Sequence, residues 1–217
     1  MKSIAFNTEM IRALLAGNKT QTRRMIEADY ALIVERDDGT MWPWGEDLVD
    51  GGDYWYPCPY GPIGSLIWVQ EAAGEQVRNL GGTRHKRLVY RADDPDAVFC
   101  YDCNGKPGRP VSWGKAKALP RWASRLTLEI TGVRVERLRD ISGEDAVAEG
   151  FPYKNPSEFS SGRDIAAGYG NAQAWFQKTW QTIYPGDWDK NPYVWVIEFK
   201  VHQKNIDQLI KQREAQA

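Results

Sequence analysis

Apolar and polar positions alternate along this chain in short, changing rhythms, and each change predicts a new element. Ile4 and Phe6 alternate with small residues, predicting a strand over Ser3 to Phe6. Ile11, Leu14 and Leu15 then fall at the i, i+3, i+4 spacing of one buried helix face, with Asn7 placed to cap the first turn and Gly17 suited to the helix end. Thr20, Thr22 and Arg24 next alternate with Gln21 and Arg23, which predicts an extended strand with the first three on one face and Arg23 opposite.

Further along, Gly64 to Glu71 reads as a buried strand after a glycine turn. Leu126, Leu128 and Ile130 alternate with Thr127 and Glu129, and Val133, Val135 and Arg137 alternate with Arg134 and Glu136, predicting two long strands bent or joined at Gly132. Ser142 and Asp145 form an S-x-x-D start for a short helix that runs to about Glu149, with Gly150 at its end. Ala172, Trp175, Phe176, Thr179, Trp180 and Ile183 give an apolar stripe for a helix over Asn171 to Tyr184, stopped by Pro185-Gly186. A last strand is expected over Tyr193 to Val201.

Between these elements the character changes. Residues 26 to 62 combine turn residues with Trp42, Trp44, Tyr54, Trp55, Tyr56 and Tyr60, predicting loops and short hairpins whose aromatics serve as a hydrophobic cover or as stacking platforms for bases. Residues 72 to 120 read as insertion-like, with one strand over Lys86 to Arg91, and residues 151 to 170 read as a surface loop. The expected organisation is one α+β domain over residues 1–203 with an insertion at about 26–120. A tail follows over 204–217, helical, with Ile206, Leu209 and Ile210 on one side, packed loosely or on a partner.

Charge and composition exclude several classes. The chain has 217 residues and a formal net charge of −1 with both signs interspersed, so it does not coat duplex DNA through bulk charge. It holds no apolar run of bilayer length and no apolar signal-peptide core, so a cytoplasmic protein with no membrane partner is expected. Cys58, Cys100 and Cys103 are expected as reduced thiols. Cys100-x-x-Cys103 looks like half a zinc knuckle that Cys58 and His85 would complete, but no second CxxC supports it, and the expectation is no metal.

Candidate chemistry gathers at Lys19, Thr22 and Arg24, where an ammonium, a hydroxyl and a guanidinium make a surface able to face an anion or a carbonyl. The plain alternative is an exposed strand face. Glu149 is a carboxylate in the last turn of a helix, where the dipole calls for a cation, and that misfit marks it. Glu71, at the end of a strand, either lines a pocket or pairs with Arg23 or Arg24.

The pattern Gly17-x-Lys19-Thr20-x-Thr22-x-Arg24 after a short helix resembles the signature of ASCH domains, PUA-like small mixed β-barrels associated with RNA and modified nucleosides. Leu138 to Gly150 resembles the second segment of that family, and Tyr184-Pro185-Gly186 with Val196 to Lys200 resembles its closing helix end and last strand. Trp68-Val69-Gln70-Glu71 resembles a strand of enlarged, phage-type members, with Gln70 where arginine is common and Ser65 where aspartate is common.

The resemblance implies an N4-acetylcytidine amidohydrolase that needs no metal and no cofactor. Its catalytic positions match Lys19 as base, Thr22 as nucleophile and Glu149 as proton shuttle or orienting group, with Arg24, Glu71, Thr20 and Trp68 as substrate-binding candidates. Arg23, on the opposite strand face, is the poorer candidate. The implied partner is a nucleoside or RNA in a bacterial host cell. The other reading that the resemblance allows is an RNA or modified-nucleoside binding module, or a ribonuclease, using the same pocket.

Overall fold

Gly132 does not interrupt its strand: in the computed structural model Thr127–Arg137 is one continuous β-strand. A Cβ at position 132 would lie 2.8 Å from the Glu198 carboxylate, so the glycine is there for that close approach rather than for a turn. The structure describes residues 1–26, 32–47, 49, 51–80, 83–100, 106, 108–152 and 162–216.

In chain order the elements are β1 (Ser3–Ala5), α1 (Thr8–Leu15), β2 (Gln21–Met25), β3 (Ile33–Glu35), β4 (Met41–Glu46), β5 (Asp53–Trp55), β6 (Leu66–Gln70), β7 (Ala73–Leu80) and β8 (Thr83–Tyr90). There follow β9 (Thr127–Arg137), α2 (Gly143–Ala148), α3 (Gly162–Ile183), β10 (Tyr193–His202) and α4 (Ile206–Glu214). The fold is therefore α+β. The longest sheet has the hydrogen-bonding order β1-β6-β9-β10-β2, and it does not close on itself among the described residues. Among the described residues no closed barrel is found, and β1 and β2 are the end strands of this sheet.

The chain divides into two compact units. The first comprises Met1–Leu15, Leu66–Leu128 and Val201–Ala217. Here β1 runs parallel to β6, with Ser3 opposite Trp68. Asn7 Oδ1 accepts from the Met10 N–H at 2.8 Å, capping α1, and Ile11 and Leu14 are buried as their spacing predicts. β7 and β8 form an antiparallel hairpin over residues 73–90. The strand β7 was not expected, because Gly74, Glu75, Gln76, Arg78 and Asn79 carry no apolar alternation; its partner β8 supplies the hydrogen bonds that its sequence does not advertise. The tail is a helix capped by Asn205, and Ile206 and Leu209 are buried, so it is packed within this unit and not loosely attached.

The second unit comprises Ala16–Ser65 and Glu129–Lys200. β2 pairs antiparallel with β10, with Thr22 opposite Ile197 and Arg24 opposite Trp195. β3, β4 and β5 form the short hairpins expected of residues 26–62. The core joins Leu138, Ile141, Ala146 and Phe151 to Ala172, Phe176 and Trp180 of α3 and to Val194 and Val196 of β10. Each large apolar side chain buried there is worth about 1.5–3 kcal/mol. α3 begins at Gly162, not at Asn171, so the loop expected over 151–170 is corrected to helix from residue 162 onward. Glycines at 162, 168 and 170 masked the helical pattern there. The rest of that loop, residues 153–161, lies outside the described residues.

Candidate functional site

The glycine at position 150 follows directly on the end of the short helix α2. α2 starts on Ser142, whose Oγ accepts from the Asp145 N–H at 3.0 Å, and ends at Glu149. Gly150 then adopts φ +102°, a conformation that side chains disfavour, and turns the chain away. The helix end lies against the segment leading into β2: Thr20 N–H donates to Ala148 O at 2.9 Å, and Lys19 forms an isolated bridge with Glu149.

Lys19 is fully buried, and its ammonium donates to Glu149 Oε2 at 2.7 Å, to Glu149 O at 2.7 Å and to Gln21 O at 2.9 Å. The cation so placed at a helix C-terminus accounts for a carboxylate in a position that the helix dipole disfavours. Burial holds the Lys19 amine below its ordinary range; the Glu149 carboxylate opposes this shift, and the charges of Arg24 and Arg23 reinforce it.

Arg23 is buried too, and reaches four groups. It donates to Gln21 Oε1 at 2.6 Å, Asp145 Oδ2 at 2.9 Å, Glu136 Oε2 at 3.0 Å and Glu149 Oε1 at 3.5 Å. Gln21 Nε2 donates to Asp145 Oδ1 at 2.9 Å, and Arg134 joins Asp145, Glu136 and Glu198 to the same network. Burial raises the Asp145 carboxyl, but the bond from Gln21 and the charges of Arg23 and Arg134 outweigh it and leave the group below the usual carboxylate range. Arg23, read from the sequence as the poorer candidate, is thus at the centre of the charge network. The alternation that separates it from Arg24 is as expected; the acids lie on the Arg23 face. Arg134, Glu136 and Asp145 were missed as partners, although Arg134 and Glu136 do recur along one strand and Asp145 is fixed by its capping role.

Thr22 lies on the other face of β2. It is 1 % exposed and its Oγ1 has no hydrogen-bond partner among the described residues, so it is not bonded to the Lys19 ammonium. Arg24, half-buried on the same face, hydrogen-bonds Tyr60, whose hydroxyl is raised by burial and lowered by that guanidinium. Trp195, opposite Arg24, is 1 % exposed and meets Trp42 edge-on at 5.0 Å between ring centroids. Arg36 lies over Trp42 and Trp55.

Thr20 precedes β2 and is exposed. Trp68 and Glu71 belong to the first unit. There Glu71, 2 % exposed, is held by Arg125 at 2.8 and 3.0 Å, and not by Arg23 or Arg24. Arg125 also binds Asp93 and lies over the Tyr90 ring. Burial raises the Glu71 carboxyl against the pull of Arg125.

Cys58 is buried, Cys100 is half-buried and both are free thiols, while His85 is exposed. Cys103 lies outside the described residues, and among the described residues no group of three or more His, Cys, Asp or Glu side chains is arranged to hold a metal. No described helix is long and apolar enough to cross a membrane. Compared with known proteins, the chain matches no family model, no curated protein and no solved structure.

Proposed function

We propose that this chain is an ASCH-type, PUA-like amide hydrolase that removes the acetyl group from the exocyclic amine of N4-acetylcytidine or a similar acylated nucleoside in the cytoplasm. The observation that carries the reading is the buried contact of Lys19 Nζ with Glu149 Oε2 at 2.7 Å, beside a strand that also bears a buried, unbonded Thr22 hydroxyl. Strand alternation alone would put the two groups on separate faces. The ammonium bonds the main-chain Gln21 O of β2 at 2.9 Å, and the reading requires it to reach the Thr22 hydroxyl from there once substrate is bound.

In the proposed reaction Thr22 Oγ attacks the acyl carbon and its proton passes to the Lys19 amine, whose neutral form burial favours. The C–N bond then breaks, and the leaving amine takes that proton. Water attacks the resulting acetyl ester, releasing acetate and regenerating the Thr22 hydroxyl. Glu149 holds the amine in place, while Lys19 takes a proton from the attacking water and returns it to Thr22 Oγ, the second water proton leaving as the acetic acid ionises. Arg24 and Tyr60, half-buried on the Thr22 face, bind the pyrimidine or its ribose.

A second reading has its own support. Thr22 is not bonded to Lys19, and the half-buried Trp42, Tyr60 and Arg24, set about the buried Trp195, are side chains of the type that binds a nucleoside or RNA without chemistry. The test is release of cytidine and acetate from N4-acetylcytidine by the purified protein, with Thr22→Val, Lys19→Met and Glu149→Gln as controls. The hydrolase reading expects Thr22→Val to lose at least about 10³-fold in kcat while keeping its fold. No turnover by the wild type, with nucleoside binding retained, selects the binding module.

A further inference from the structure

Four buried side-chain polar atoms lack a hydrogen-bond partner among the described residues: Thr22 Oγ1, Arg23 Nε, Trp180 Nε1 and Trp195 Nε1. Such groups are uncommon, because each gives up its bond to water and gains nothing in return. Two of the four belong together by register. Arg24 and Trp195 are directly opposed across β2 and β10, and so are Thr22 and Ile197. Opposed residues project to the same face, so Thr22 and Trp195 are diagonal neighbours on one side of the sheet, roughly 7–8 Å apart in such pairs and within reach of an aromatic side chain. Arg23 and Trp180 are elsewhere. Arg23 is on the opposite face with the acids, and Trp180 is in the apolar core, with its ring 5.9 Å from Phe176 and 4.7 Å from Tyr184.

We infer that the indole N–H of Trp195 donates to the acyl oxygen of the substrate and stabilises the charge that develops there when Thr22 attacks. The inference rests on the hydrolase reading and adds to it a catalytic residue that no pattern along the chain singles out. An indole N–H is a donor with no acceptor capacity, so its missing partner must be an acceptor. A hydroxyl left unbonded beside it meets the carbon to which that acceptor is attached. As the Thr22 Oγ to carbon bond forms, the carbonyl π pair moves onto oxygen and the N–H hydrogen bond strengthens, while the indole keeps its proton. When the pair returns, the C–N bond breaks and the amine leaves with the proton that Thr22 gave up. A donor held in place and unbonded in the free protein needs no rearrangement when that charge appears, which is what makes such donors effective. Trp42, edge-on to Trp195, fixes the ring that carries the donor.

The test compares N4-acetylcytidine with its thioacetyl analogue, whose sulfur is the poorer acceptor, in the wild type and in Trp195→Phe. The expected result is a wild-type kcat/KM that favours the oxygen substrate by about 10²-fold. In Trp195→Phe the oxygen substrate loses about 10²-fold in kcat with KM little changed, and the preference for oxygen over sulfur collapses toward one. Removing an unbonded donor should not lower the melting temperature by more than the loss of ring contact explains. A wild-type preference near one overturns the role without recourse to any variant, as does a Trp195→Phe protein that keeps the wild-type preference. Hydrolysis by the wild type with either of these results leaves the hydrolase reading standing and removes only Trp195; no hydrolysis of either substrate by the wild type overturns both.

Discussion

The Lys19 ammonium binds Glu149 twice, through the carboxylate and through the main-chain carbonyl, each at 2.7 Å. One side chain therefore neutralises the acid and closes the end of the helix that carries it. Breaking such a pair leaves a charge without its partner inside the protein, whereas removing both charges together does not.

Lys19→Met is expected to destabilise the second unit by about 3–5 kcal/mol, because among the described residues the Glu149 carboxylate then keeps only the 3.5 Å contact with Arg23. The double variant Lys19→Met, Glu149→Leu should lose less than the sum of the two single variants, since neither charge is then left alone. Denaturant unfolding of the wild type and the three variants gives the coupling energy; additive losses would show that the pair is not coupled.

Acid should attack the network through Asp145. Its carboxyl lies lower in the folded protein than in the unfolded chain, so its contribution is complete above the ordinary aspartate range and is lost as pH falls through that range toward the folded value. Asp145→Asn should be less stable than the wild type at neutral pH, and the difference should shrink below about pH 4. Lys19 is shifted in the same direction, so stability again rises with pH, but here the shift is a penalty in the charged form. Its folded value lies below the unfolded one, so the penalty for burying its charge is relieved as pH rises toward the ordinary lysine range. Melting temperatures across pH for the wild type, Asp145→Asn and Lys19→Met separate the two limbs. A wild type and an Asp145→Asn variant that differ equally at every pH would remove the role given to Asp145.

In the first unit, Arg125→Ala should be as costly as the loss of Lys19. It strands Glu71, which is 2 % exposed and whose carboxyl burial already raises. Because that shift is upward, the stranded charge penalises the fold as pH rises through the ordinary glutamate range and beyond, and acidification relieves it. Arg125→Ala should therefore gain stability relative to the wild type on mild acidification, and Glu71→Gln in the same background should remove most of that pH dependence. Thermal unfolding between pH 4 and 8 reads both effects.

How much of this could be read from the sequence differs from element to element. α1, its Asn7 cap, the S-x-x-D start of α2 and the Gly150 stop are all local, depend on residues within four positions, and were legible. The strand β7 was not, because a hairpin strand with mixed polar faces is held by its partner rather than by its own alternation. The start of α3 was hidden behind three glycines.

Of the site, the sequence supplied the residue types and their parity: Lys19, Thr22, Arg24 and Glu149 stood out, and the alternation of β2 does separate Thr22 and Arg24 from Gln21 and Arg23. What it left open was the partner on each face. Lys19 meets an acid at position 149, Arg23 collects Glu136 and Asp145, Glu71 turns to Arg125, and Trp195 comes to the Thr22 face because β10 pairs with β2 in one register. Spacing along a chain fixes which way a side chain points from its own strand. Which distant side chain it meets is decided by the order and register of the strands, and that belongs to the folded molecule alone.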